Sequence, residues 1–427
     1  MFGATAMGLG SIVGTGIFVS IGVAAGTAGP AVILAILLAA FVASCNGLSS
    51  AQLAAVHPVS GGTYEYGYRW LHPSLGFLAG WMFVSAKTAS AATAALGFTG
   101  YALNLLGVKF PGWHTAVSLA IVVLVTVLVL SGIRLSNVVN MFLVSITVAS
   151  LIVFVIAGVP ALMERAADKL TPFFAPSSRG VSPCGGLLEA CALMFVAYTG
   201  YGRIATLGEE ISEPRRNIPL SIIITLFVAM ALYASVGLVA VGTLGADALA
   251  AATSQQAAPL EAAAREFDSS AAAVIVAAGA MTSMLAVLLN LLLGLSRVVL
   301  AMGRRGDLPS LLGRLNRSGT TPTAAVVLVG AIVAGLVLLG DVKTTWSFSA
   351  FSVLMYYALT NLATLRMSNE ERLYPPIIAW FGLLSCLFLA FWVEQHIWIV
   401  GLALVLAGLA WWWIADWLRR RNTQRRT

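Results

Sequence analysis

Charge is what this chain has least of. Lysine, arginine, aspartate and glutamate supply only 10% of its 427 residues, against about 25% in an ordinary soluble domain. With 59% hydrophobic residues and a mean hydropathy of +0.92, that scarcity excludes a water-soluble globular fold. Histidine is nearly as rare: there are four, never clustered, so no metal centre is expected. The four cysteines, Cys45, Cys184, Cys191 and Cys386, form no CxxC pair and follow no regular spacing, and three lie in apolar segments. They read as small packing residues rather than a disulfide framework. No basic n-region or cleavage site precedes the first apolar segment, so a cleaved signal peptide is not expected. No constellation of histidine, cysteine or paired carboxylates falls at membrane depth. An embedded enzyme would lack machinery, and no cofactor is implied.

The charge that is present sits in patterned places. The net charge is +7, and Arg419, Arg420, Arg421, Arg425 and Arg426 follow directly on the last apolar segment. Such a run anchors topology beside anionic lipid rather than binding nucleic acid. Windows of about 20 apolar residues mark spanning helices. Twelve occur, over residues 5–25, 31–54, 75–106, 114–132, 137–163, 185–207, 218–243, 270–302, 322–340, 345–366, 375–393 and 396–418. Fifteen arginines and lysines fall on one side of these segments and six on the other. The positive-inside rule places the fifteen, and both termini, in the cytoplasm. The expectation is an all-α, polytopic membrane protein forming one transporter domain over residues 1–427. Residues 55–74, aromatic and polar by turns, fit a re-entrant or interfacial segment. The alanine-rich stretch 244–269 fits a surface helix.

Against this background two stretches stand out for glycine. GSIVGTGIF, residues 10–18, places Gly10, Gly14 and Gly16 inside the first segment, each weakening a helix interior by about 1 kcal/mol relative to alanine. Two explanations compete. Gly10 and Gly14 form a GxxxG pair that lets membrane helices approach closely. Alternatively the helix breaks here, and every freed backbone group needs another partner. Gly16, directly after Thr15, favours the break. A dinucleotide fingerprint is excluded because no strand precedes the glycines. FVAYTGYGR, residues 195–203, interrupts the sixth segment in the same manner. Interrupted segments at corresponding positions of two halves point to the substrate site of a secondary transporter. Residues 1–163 and 185–366 would then be five-helix repeats in inverted orientation, with two extra helices over 375–418.

Such breaks offer backbone chemistry. Amides near Thr15 and Gly16, at the positive end of the following half-helix, suit a carboxylate. Carbonyls released between Phe195 and Gly200 suit an ammonium group. An α-amino acid zwitterion is complementary to both. Tyr198 and Tyr201 flank the second break and either close over a substrate or pack in the core. Lys87 is the only lysine deep inside an apolar segment. It either snorkels along a tilted helix or serves as a titratable group coupling substrate movement to protons. Arg203 and Glu189 fall toward the ends of the sixth segment, as a structural ion-pair partner and an interfacial carboxylate.

These residues resemble the amino acid permeases of the amino acid–polyamine–organocation superfamily. The resemblance rests on GSIVGTGIF, on FVAYTGYGRIATLGEEISEPRRNIP at 195–219, on SRVVLAMGRRGDLP at 296–309 and on FLAGWMFVSAK at 77–87. It implies a leucine-transporter-type fold of two inverted five-helix repeats plus two helices, working by alternating access. It further implies a substrate carboxylate on the amides around Gly14, Thr15 and Gly16. The amine would meet carbonyls near Ile12, Phe195, Val196 and Thr199, with Gly200 in the second break. There are departures. Val196 occupies a position where the family often has an aromatic gate, and Thr147 stands where some proton-coupled members carry a lysine. The hydroxyls of Thr282 and Ser283 fall off the register of a sodium site. The resulting expectation is a multi-pass inner-membrane carrier of neutral or small amino acids, proton-coupled or exchanging, with Lys87 as coupling candidate. A polyamine or cationic amino acid carrier, or a non-transporting amino acid sensor, is the alternative.

Overall fold

The computed structural model describes residues 2–59, 61–108, 112–132, 137–174, 182–206, 211 and 213–424. The first apolar segment is divided among three helices, α1 (Phe2–Ile12), α2 (Thr15–Phe18) and α3 (Ser20–Ala28). After α4 (Val32–Val56) come the short α5 (Thr63–Trp70), then α6 (Pro73–Leu105), α7 (Trp113–Leu130) and α8 (Asn137–Lys169). The sixth segment splits into α9 (Pro183–Tyr198) and α10 (Gly202–Thr206) around a 3-10 turn at Thr199–Tyr201. The chain continues through α11 (Pro214–Leu244), α12 (Ala246–Gln256), α13 (Pro259–Ala264) and α14 (Ser270–Arg305). It ends with α15 (Thr323–Leu339), α16 (Val342–Leu365), α17 (Pro376–Ala390) and α18 (Gln395–Gln424). Each of the twelve apolar windows is mainly helical, and no strand occurs among the described residues.

Local chemistry starts these helices where the sequence changes character. Pro183 and Pro376 open α9 and α17 at a position where the missing N–H is harmless. Ser182 and Asp341 cap α9 and α16, accepting from Gly185 N at 3.2 Å and Thr344 N at 2.7 Å. Gly29, with φ of +62°, turns the chain between α3 and α4, a conformation that favours glycine.

Eight helical stretches are long and apolar enough to cross a membrane, joined by three shorter apolar helices. α6 is not among them, although it spans 33 residues. Its alanines, glycines, serines and threonines dilute its hydropathy, and most of them are buried. Helices α7, α8 and α18 instead turn large apolar side chains outward, among them Phe142, Met163 and Trp413, as lipid-facing helices do. The protein is thus a polytopic helical membrane protein whose least apolar long helix lies inside it.

Ion pairs gather at the two ends of the bundle. Arg305 meets Glu65 at 2.6 Å and Arg69 meets Glu371 at 3.8 Å. At the opposite end Arg165 meets Glu266 at 2.7 Å, and Lys343 pairs with Glu394. The first end is knitted by α5: Tyr64 and Tyr68 both donate to Asp307 Oδ2, at 2.6 and 2.7 Å, and Trp411 Nε1 of α18 donates to Asp307 O at 2.8 Å. Burial and the Asp307 carboxylate push the Tyr64 phenol well above its usual range, so it stays a donor. Residues 244–269 differ from the expected surface helix. They form α12 and α13, which bury Leu249, Thr253, Leu260 and Glu261. The reason is α3: Cβ atoms on Gly22 and Gly26 would meet Thr253 and Ala250, so those glycines let α12 sink inward.

Candidate functional site

At the first break the chain leaves helical geometry over Val13 and Gly14 and resumes at Thr15. Gly14 is extended, so its backbone alone does not demand glycine. Space does. A Cβ on Gly14 would lie 2.6 Å from Val287 Cγ2 of α14, one on Gly10 2.4 Å from Val144 Cγ2 of α8, and one on Gly16 2.7 Å from Ala197 Cα of α9. Close packing and a break therefore coexist: the glycines admit neighbours on three sides, and the helix opens between them. The freed carbonyls take hydroxyls from other elements. Tyr233 Oη of α11 donates to Ile12 O at 2.7 Å, and Ser283 Oγ of α14 donates to Val13 O at 3.0 Å. On the other side of the break the amides of Thr15 and Gly16 stand in the first turn of α2, where no intrahelical acceptor exists. Thr15 Oγ1 is buried and has no hydrogen-bond partner among the described residues.

The second interruption is milder. α9 runs intact through Phe195 and Val196 to Tyr198, so the unwinding expected from Phe195 to Gly200 is confined to Thr199–Tyr201. Only one glycine falls in that turn, and side chains stitch it closed. Thr199 Oγ1 donates back to Val196 O at 2.8 Å, Tyr357 Oη of α16 donates to Thr199 O at 3.2 Å, and Tyr233 Oη lies 3.3 Å from Ala197 O. The two interruptions touch twice. Gly16 packs on Ala197, and a Cβ on Gly200 would fall 2.2 Å from Ser11 O.

Lys87 reaches this junction from α6, its Nζ donating to Thr199 Oγ1 at 2.9 Å. The residue lies fourteen positions from Pro73 and eighteen from Leu105, about 21 and 27 Å of helix. Of its two readings, snorkelling does not describe this side chain, which turns inward to the second interruption. No ion pair to Lys87 occurs among the described residues.

The remaining sequence candidates are held in packing. Tyr198 Oη donates to Ile36 O of α4 at 3.3 Å, and its ring lies 5.0 Å from that of Tyr233. Tyr201 packs on Tyr357 at 5.4 Å, as does Phe195 edge-on at 5.6 Å. Val196 is buried. Glu189, expected at the interface, is only 6% exposed. Thr147 bonds its own helix at Leu143 O, and Thr282 does the same at Ala278 O. Ser283 reaches the first break, where it donates to Val13 O. Tyr233 and Tyr357 were invisible to sequence reasoning, because a lone tyrosine in an apolar run carries no spacing signal.

Above Lys87, α6 and α16 are joined by hydroxyl pairs, Ser90 with Ser349 and Thr93 with Thr345, each at 2.8 Å. Beyond them opens a cavity of about 430 Å³ between α3, α7, α12 and the start of α16. The two hydroxyl pairs thus lie along α6 between Lys87 and Leu96, which lines that cavity.

This geometry, two interrupted helices crossing at their interruptions inside a twelve-segment bundle, can be set beside known proteins. The family model described as Amino acid permease matches residues 3–423. The chain belongs to the amino acid permease family. Among its curated relatives, an uncharacterized transporter of Mycobacterium tuberculosis is 38% identical over 422 residues, covering 99% of this chain and 92% of that one. A methylthioribose transporter of Bacillus subtilis is 30% identical over 351 residues, covering 78% of this chain and 73% of its own. The branched-chain amino acid permease BcaP of the same organism is 27% identical over 416 residues, 91% of this chain and 86% of that one. This permease is accordingly a multi-pass membrane transporter, with the family's helical fold.

Proposed function

We propose that this permease moves amino acids by alternating access, as proton-coupled symport or exchange of neutral or small amino acids. The observation that carries the reading is the contact between the two interrupted helices beside a single inward-turned lysine. In this reading the substrate carboxylate lies on the amides of Thr15 and Gly16 and the hydroxyl of Thr15, at the start of α2. The ammonium group faces the carbonyls near Ile12, Phe195, Val196 and Thr199, with Gly14 and Gly200 providing close approach and Tyr198 and Tyr201 backing the site. Lys87 is the titratable group that couples the cycle to protons. Residues 1–163 and 185–366 act as the two repeats, with 375–418 appended. Both termini face the cytoplasm across the inner membrane, in keeping with the fifteen-to-six arginine and lysine asymmetry.

The test is flux. Purified protein in liposomes takes up radiolabelled amino acids from a broad panel, with and without sodium and at two pH values. Uptake or exchange of at least one amino acid is expected, with a pH dependence that Lys87→Ala removes. If no amino acid moves in either format the proposal fails, and an unchanged pH profile in Lys87→Ala discards the coupling role alone. Methylthioribose belongs in the same panel, because one relative bears that substrate in its name.

A further inference from the structure

Hydrogen-bond donors and acceptors are unevenly distributed around the junction of the two interrupted helices. The carbonyls of Ile12, Val13, Gly16, Val196 and Thr199 each already accept a side-chain hydroxyl, from Tyr233, Ser283, Ser20, Thr199 and Tyr357, and Tyr233 Oη also lies 3.3 Å from Ala197 O. The donors are not matched in this way. Among the described residues Thr15 Oγ1 has no partner, and the amides of Thr15 and Gly16 have no intrahelical acceptor, whereas those of Ile17 and Phe18 bond Gly14 O. An ammonium group carries three donors, and Lys87 Nζ uses one of them on Thr199 Oγ1. That hydroxyl already donates to Val196 O, so the lysine meets its lone pair. Among the described residues no carboxylate pairs with Lys87. Glu189, on α9, stands ten residues before Thr199, about 15 Å along the helix. A cation in a donor-rich, low-dielectric site attracts an anion and repels a second cation.

We infer that Lys87 is the charge-selecting residue of the central site: it makes the permease take solutes by a carboxylate, and reject solutes of net positive charge. This rests on the amino acid reading and narrows its substrate class. Specificity of this kind arises as much from the unfavourable encounter with the wrong ligand as from contacts to the right one. The carboxylate becomes the principal anchor, spanning from the start of α2 toward Lys87. The substrate ammonium contributes less, since Lys87 repels a second cation and the carbonyls of Ile12, Val196 and Thr199 each already accept one hydroxyl. Lysine, arginine and polyamines are excluded by charge rather than by size.

The experiment compares each amino acid with its two halves. Full-length protein in detergent is titrated with L-leucine, isocaproate (leucine without its amine), isopentylamine (leucine without its carboxylate) and L-lysine. The same is done with L-alanine, propionate and ethylamine, and half-saturation is read from the ligand-dependent rise in unfolding temperature. In the wild type the des-amino acid should bind within about tenfold of its amino acid, and the amine and L-lysine at least a hundredfold more weakly. Lys87→Gln should shrink the carboxylate-over-amine preference at least tenfold, Lys87→Glu should admit L-lysine, and Lys87→Arg should retain the wild-type order. A wild type that binds the amine as well as the carboxylate overturns the inference, as does an unchanged ratio in Lys87→Gln. The wild-type ratio decides even where a variant fails to fold. Stabilisation by amino acids with no such ratio leaves the amino acid reading standing and removes this one. Stabilisation by no member of the panel removes both.

Discussion

The two interruptions resemble each other in sequence and differ in construction. The first is a true opening: helical geometry lapses at Val13 and Gly14, and Tyr233 and Ser283 take the released carbonyls. The second is a tightened turn, with α9 intact to Tyr198 and Thr199 bonded back onto Val196. Glycine number explains part of the difference, three in GSIVGTGIF against one in the turn at Thr199–Tyr201. The rest lies in partners. Where neighbouring helices bring hydroxyls to the released carbonyls, opening the backbone in an apolar medium is tolerable. Where the residue's own hydroxyl closes the gap, the helix barely departs from its course. The lesson is that glycine licenses a break, while side chains from other segments decide how far it opens.

That comparison is broken most severely by removing the space between the interruptions. A methyl on Gly200 would fall 2.2 Å from the Ser11 carbonyl oxygen and 2.3 Å from its carbon, both backbone atoms that cannot swing aside. Gly200→Ala should therefore cost more than the usual 1–3 kcal/mol of overpacking and abolish uptake. Gly3→Ala, where nothing lies within 4 Å of a Cβ, should keep the monodisperse size-exclusion peak of the parent. Equal behaviour of the two glycine variants would show that the interruptions do not touch. Next comes Tyr233→Phe, which strips the hydroxyl donor from Ile12 O and removes the oxygen that lies 3.3 Å from Ala197 O. A loss of about 1–3 kcal/mol, read as a lower unfolding temperature in detergent, is expected. An unshifted transition would deny that one hydroxyl serves both breaks. Thr199→Val removes the acceptor for Lys87 while Thr199→Ser retains it, so only the valine should lose ligand binding. Matching affinities in the two variants would separate the lysine from the site. The smallest effect belongs to Ser283→Ala, about 0.5–1.5 kcal/mol, because it touches the Val13 carbonyl alone. A loss exceeding that of Tyr233→Phe would reverse the order of the two hydroxyls.

The number and position of the membrane segments were legible because each rests on a long apolar window, and the helix that breaks the hydropathy rule, α6, still has its proline start and length. The first break was legible through Gly14 and Gly16. Its exact opening at Val13 depends on packing against α14 and α8, which no local pattern encodes. The second was read too broadly, since Phe195 and Val196 look equally interruptible until the hydroxyls of Thr199 and Tyr357 are placed. Lys87 was conspicuous by its depth, but the direction of its side chain follows from where α9 lies, a contact between residues 112 positions apart. Tyr233 sits 221 positions from Ile12, and its apolar neighbours offer no hint. The inward course of α12 depended on two glycines, Gly22 and Gly26, whose purpose appears only when α3 is in place.

Asp307 is a small knot with a wide reach. Its carboxylate receives hydroxyls from two turns of α5, and its carbonyl receives an indole from α18, while the neighbouring Arg305 grips Glu65 of α5. Parting α5 from the end of α14 cannot proceed one contact at a time, since the first bond lost leaves the others sharing an anion that is 1% exposed. The strength of that end of the bundle is therefore collective, and the last helix of the chain is mechanically tied to it.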